Sequence, residues 1–193
     1  MAPSSRTTRR GLLLAGAGAL AVTGGAALAW PWRRDLPDPA DPRTTMQDVD
    51  DAVARLLPVP EITAAELARR IDTGERIVLF DVREAAEYAQ SRIPGALRVP
   101  PEASAAAVLA EHGARMAGNT VVLYCAVGWR SGLLLQGIRQ AAGAAPAAAL
   151  LNLRGGIFRW HAERPPLELA AGAQGVHHFD AGWGQLLRRL IGS

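Results

Sequence analysis

A chain of 193 residues, about half of them apolar, has room for one globular domain with appendages. Its formal charge of +3 resides entirely in Arg6, Arg9 and Arg10; from Trp30 onward 18 arginines face 18 acids, and no lysine occurs anywhere. A near-neutral domain without a basic stripe argues against nucleic acid as a partner.

Residues 6–32 open with arginines and continue as an uncharged run from Gly11 to Trp32, ending near Ala27-Leu28-Ala29, an A-x-A cleavage pattern. Thr8-Arg9-Arg10-Gly11-Leu12-Leu13 resembles a bacterial twin-arginine signal. Two outcomes stay open for residues 1–29. Cleavage after Ala29 releases a soluble domain. Retention leaves a membrane anchor through residues 11–30, with Trp30, Trp32, Arg33 and Arg34 at the interface. In a bacterium both place the domain on the periplasmic side.

Residues 30–59 read as a proline- and charge-rich linker carrying a short amphipathic helix over 46–57, broken by Pro58-Val59-Pro60. Thr63-Ala64-Ala65-Glu66 is a capping box that opens a helix to about Ile71. Apolar strands are expected at 77–81, 97–99, 120–124 and 148–153, and helices at 83–91, 102–116 and 131–143. A closing helical turn, IFRWHAE, stops at Pro165-Pro166. Alternating strands and helices over 60–169 predict an α/β domain, its parallel sheet covered by helices on both faces. Residues 170–193 form an extension whose amphipathic segment 186–191 is expected to dock on the domain. The oligomeric state is not legible.

Cys125 is the only cysteine in the chain. A solitary thiol is open to three readings: a reactive nucleophile, an intermolecular bridge, or a small buried hydrophobe. Its surroundings favour the first. Ligands of parallel sheets bind beyond the carboxyl ends of the strands, where Cys125 lies. Cys-Ala-Val-Gly-Trp-Arg is expected to cross to the helix from Ser131 as a tight loop, with Gly128 supplying a conformation other residues avoid. Successive N–H groups in such a loop, with the helix dipole behind them, stabilise a thiolate. Arg130 is expected at the rim as a fixed positive charge. Asp81 ends a strand on the same edge and is read as structural support, bonding the loop or Arg83. Arg83 is expected to pair with Glu84, Glu87 or Asp81, and Arg98 is a weaker candidate near the pocket. His177-His178 carries no metal reading, because adjacent side chains diverge and no further His or Cys stands at ligand spacing.

Four motifs in order bring a family into view: Asp81-Val82-Arg83-Glu84 with Glu87-Tyr88, Arg92-Ile93-Pro94-Gly95-Ala96, Tyr124-Cys125 through Arg130-Ser131, and Leu153-Arg154-Gly155-Gly156 with Trp160. Together they resemble the rhodanese family of sulfurtransferases over about residues 60–166, with Arg92 where the family usually has His. The resemblance implies a rhodanese-like fold and a persulfide on Cys125. Sulfane sulfur would come from thiosulfate, a persulfide or a polysulfide and pass to a thiol or cyanide, with no metal and no organic cofactor. It makes Ala126, Val127, Gly128, Trp129 and Arg130 the substrate-binding loop, supported by Asp81, Arg83 and Ser131. The C-x4-R spacing is shorter than the C-x5-R of related phosphatases, which favours sulfur over phosphate or arsenate. Ala126 and Val127 stand where animal thiosulfate sulfurtransferases carry basic residues, so thiosulfate is expected to be a weak donor. The alternative is a non-catalytic rhodanese-like module that binds or regulates in the cell envelope.

Overall fold

The structure, a computed structural model, describes residues 36–141, 147–163 and 166–192. The targeting segment, the start of the linker, the last two residues of the helix expected over 131–143 and the Pro165 stop lie outside these residues.

Every strand of the main sheet runs parallel, in the order β1-β6-β5-β2-β4. The strands are β1 (Glu61–Ile62), β2 (Ile77–Asp81), β4 (Leu97–Arg98), β5 (Thr120–Tyr124) and β6 (Ala149–Leu153). The three central strands are the apolar runs IVLFD, TVVLY and ALLNL, buried on both faces as parallel strands must be. Both edge strands hold two residues. A small antiparallel pair, β3 (Ser91–Arg92) with β7 (Glu168–Leu169), stands apart from that sheet.

Alternation along β5 divides the core. Val121 and Leu123 face a layer completed by Leu134, Leu135 and Ile138 of α5 (Trp129–Ala141) and Val108 and Met116 of α4 (Ala105–Met116). Val122 and Tyr124 face the other layer. It holds side chains of α1 (Met46–Leu56), α2 (Ala64–Asp72), α6 (Gly156–Ala162) and α7 (Ala181–Gly192). Helices therefore cover both faces, and the extension after residue 169 buries Trp183, Leu186 and Leu187 in the second layer.

Only half of the capping box expected at Thr63 forms. The Thr63 hydroxyl accepts from the Glu66 N–H, but the Glu66 carboxylate turns to Arg69 and Arg70, where charge-assisted bonds are stronger than a bond to one amide. A complete box closes instead at α1, between Thr45 and Asp48.

Candidate active site

Register brings the site together. β2 and β5 pair in step, so Asp81 lies beside Tyr124 at the carboxyl edge and Cys125 follows directly. Cys125 leaves 1% of its surface exposed. The crossing to the helix is tighter than expected: α5 begins at Trp129, not Ser131, so Trp129 and Arg130 form its first turn instead of belonging to the loop. Gly128 makes this possible. Its φ is +90°, and a Cβ there would sit 3.2 Å from the Leu153 carbonyl oxygen.

The loop is tied down from two sides. The first turn of α6 donates from Ile157 N–H to the Cys125 carbonyl, at 2.9 Å, and from Phe158 N–H to the Ala126 carbonyl, at 3.1 Å. Gly156 lets the helix come this close, since a Cβ there would lie 2.3 Å from the Cys125 oxygen. On the other side, Asn152 of β6 donates its Nδ2 to the Gly128 carbonyl at 3.0 Å and accepts from the Ser131 hydroxyl at 2.7 Å. The carbonyls of Cys125, Ala126 and Gly128 are thus all engaged. Among the described residues, no carbonyl takes the N–H of Ala126, Val127 or Gly128, which leaves these donors available to an anionic sulfur.

The charged groups form two buried pairs. Asp81 and Arg83, both fully buried, meet bidentately through Nε–Oδ1 at 2.8 Å and Nη2–Oδ2 at 2.6 Å. The Arg83 guanidinium also donates to the Ser91 carbonyl and lies 5.8 Å from the Tyr124 ring centre. Burial pushes the Asp81 carboxyl above its ordinary value, with Arg83 and the Tyr124 hydroxyl opposing. Asp81 therefore supports the fold through Arg83 and does not bond the loop. Arg98 stays outside this network except for one bond, Nε to the Arg83 carbonyl at 3.2 Å.

Arg130 departs from the sequence expectation. It is not a rim charge but a buried one, held by Glu87 of α3 (Ala85–Gln90) through two bonds of 2.7 and 2.9 Å. Against a burial that favours the neutral form, Glu87 and Cys125 raise the Arg130 guanidinium above its ordinary value. Burial pushes Glu87 the other way, yet Arg130 and the Glu84 N–H together hold its carboxyl below the ordinary range. The side chains of Ala126, Val127 and Trp129 are buried and pack into the core layer that holds Tyr124. What the loop offers a ligand is its backbone.

Glu87 and Asn152 are the residues that sequence reasoning left out of the site. Asn152 had a visible signal, a lone amide inside the apolar run ALLNL. Glu87 had one only through the motif that contains it. Among the described residues, no cluster of His, Cys, Asp or Glu could hold a metal ion.

A parallel α/β domain with a cysteine in a short strand-to-helix loop defines a class of sulfur- and anion-handling folds. The rhodanese-like domain model matches residues 63–163, and the chain belongs to that family. It is 33% identical to a sulfurtransferase of Allochromatium vinosum over 102 residues, covering 53% of this chain and 88% of that protein. Over 83 residues it is 42% identical to an HTH-type transcriptional regulator of Mycobacterium tuberculosis, covering 42% of this chain but only 34% of the regulator's length. In fold it matches a thiosulfate sulfurtransferase of Pseudomonas aeruginosa at a TM-score of 0.52 and 20% identity, over 82% of this chain and 29% of that one. The family match and the Allochromatium relative point to the sulfurtransferase type, while the chain spans only about a third of the regulator's length.

Proposed function

We propose that the protein carries sulfane sulfur as a persulfide on Cys125. The observation that carries this reading is the loop: its carbonyls are tied to α6 and Asn152, its amides are available, and the buried Arg130 interacts with the thiol. The Cys125 thiolate attacks the outer sulfur of thiosulfate, a persulfide or a polysulfide. A new S–S bond forms, the donor's S–S bond breaks, and sulfite or a thiolate leaves with the electron pair. A thiol or cyanide then attacks the outer sulfur of the persulfide, and the Cys125 thiolate leaves. The two halves alternate, which is ping-pong kinetics. The loop amides hold negative charge on sulfur in both halves.

Intact mass after incubation with a sulfane donor tests this. The protein should gain one sulfur atom, and Cys125→Ser none. Arg130→Ala should load more slowly. A wild-type protein that takes up no sulfur from any of the three donor classes would leave a binding module in its place. The arginine pair and the A-x-A pattern support an exported, periplasmic domain, released or anchored through residues 11–30.

A further inference from the structure

The segment between β7 and α7 brings Phe179 against Arg130, the buried cation of the site. Val176 is buried in the core layer at its near end, and Trp183 packs edge-on against Phe158 at its far end, 6.4 Å between ring centres. Between these anchors the chain makes a sharp turn. Phe179 has φ +65°, the one non-glycine residue with a positive φ among those described. Such a conformation is unfavourable in a bulky residue and persists only where the surroundings impose it.

The surroundings do so here. The Phe179 N–H donates to His177 Nδ1 at 3.1 Å, and the Asp180 N–H to the His178 carbonyl at 2.7 Å. Asp180 Oδ1 accepts from the Trp183 N–H at 3.1 Å and caps α7. Burial holds His177 below its ordinary value of 6.5, with His178, Arg83 and Arg130 acting in the same direction and Glu87 against them, which favours the neutral ring that the Phe179 N–H bond to Nδ1 requires. The product of this arrangement is a ring laid over a cation: Arg130 Cζ stands 5.6 Å from the centre of Phe179.

We propose that Phe179 is a specificity-determining residue of the Cys125 site, a wall that admits slim sulfur compounds and turns bulky ones away. The proposal rests on Cys125 as the sulfur-carrying thiol. That thiol is almost wholly covered, and its companion Arg130 is shielded by Glu87 on one side and by the Phe179 ring on another. Removing the ring uncovers one side of Arg130, the cation beside the thiol, and leaves Cys125 itself unchanged. The strained backbone agrees with this role, since a ring serving only to fill the core would need no unfavourable turn to place it.

Because Cys125 is the only cysteine in the chain, alkylation reads its access directly and needs no turnover. The rate with iodoacetamide is compared with the rate with N-pyrenylmaleimide on the full chain, for wild type, Phe179→Ala and Phe179→Leu, with thermal midpoints alongside. An apolar wall discriminates by about 10–200-fold. Phe179→Ala should lower the small-to-bulky rate ratio by about tenfold at least, within that range. Phe179→Leu should retain most of the discrimination. With glutathione persulfide as a bulky donor and thiosulfate as a slim one, Phe179→Ala should favour the former in kcat/KM. A ratio the same in Phe179→Ala as in wild type overturns the proposal. Loss of discrimination in Phe179→Leu equal to that in Phe179→Ala also overturns it, since bulk would then not be the cause. If alkylation shows the wall but no donor loads sulfur, the wall stands and the sulfur-transfer reading fails.

Discussion

Glu87 holds the Arg130 guanidinium, which Cys125 helps to raise above its ordinary value, and it does so with both carboxylate oxygens inside the protein. Removing one partner of a buried pair leaves the other charge without compensation, which costs about 3–5 kcal/mol. Glu87→Ala should therefore destabilise by about that amount, read from urea unfolding. The pair also sets an acid-side slope. The Glu87 carboxyl sits below its ordinary value of 4.5 in the folded protein. Its contribution is fully present above that pH and is lost as the pH falls through the folded value. Glu87→Gln should flatten stability against pH on that limb; an unchanged slope would show that other carboxylates dominate it. A different residue, Val127, bears on the side chains of the loop itself. Val127 packs inside the core, so a lysine there would bring an ammonium into an apolar layer and would not furnish a cation for thiosulfate.

At the scale of elements, β6 and α6 act as a clamp on the loop. Asn152→Ala removes two bonds at once: the Ser131 hydroxyl loses its acceptor, while the Gly128 carbonyl keeps the Gly132 N–H. Each buried polar group left unsatisfied costs about 1–3 kcal/mol. The expected outcome is a loss in that range or above it in urea unfolding, with slower sulfur loading of a protein that still folds. Full loading speed at reduced stability would separate the clamp from the chemistry. These elements also show what the sequence discloses. β2, β5 and β6 are apolar runs with turn residues beside them, and their expected positions agree with the structure to within one residue. β1, β3 and β7 are two residues each, too few to establish a period, and have no counterpart in the sequence reading, whereas the equally short β4 is legible from Leu97-Arg98-Val99. α5 starts two residues early, since a positive φ at Gly128 turns the chain faster than composition reveals. The ordered motifs located the loop and its cysteine. The Glu87–Arg130 pair joins residues 43 positions apart, and no local pattern encodes such a meeting. Phe179 is hidden for a similar reason: its place over Arg130 follows from a turn held by His177 and Asp180, which reads in sequence as an ordinary polar stretch.

For the whole molecule, the question is where it works. If the segment 1–29 directs export and is cleaved, N-terminal sequencing of protein from its native host should begin at Trp30. Intact residues 1–29 in the membrane fraction would assign the anchored form. A cytoplasmic pool alone would refute both. The described part has no helix long and apolar enough to cross a membrane. Within it, the extension after residue 169 belongs to the fold as much as to the site, since α7 adds Trp183, Leu186 and Leu187 to one core layer while the turn before it carries Phe179.

The main sheet ends on either side in a strand of two residues. An exposed edge is a template on which another chain can add its own strand and begin an aggregate. Two residues offer such a visitor only a stub of a ladder, too short to hold a register. Of the long apolar strands β5 is paired along its length on both sides, while β2 and β6 have an outer partner only over their last two residues. The best template, β5, therefore becomes open to fibrous self-association by strand addition only when the central strands come apart.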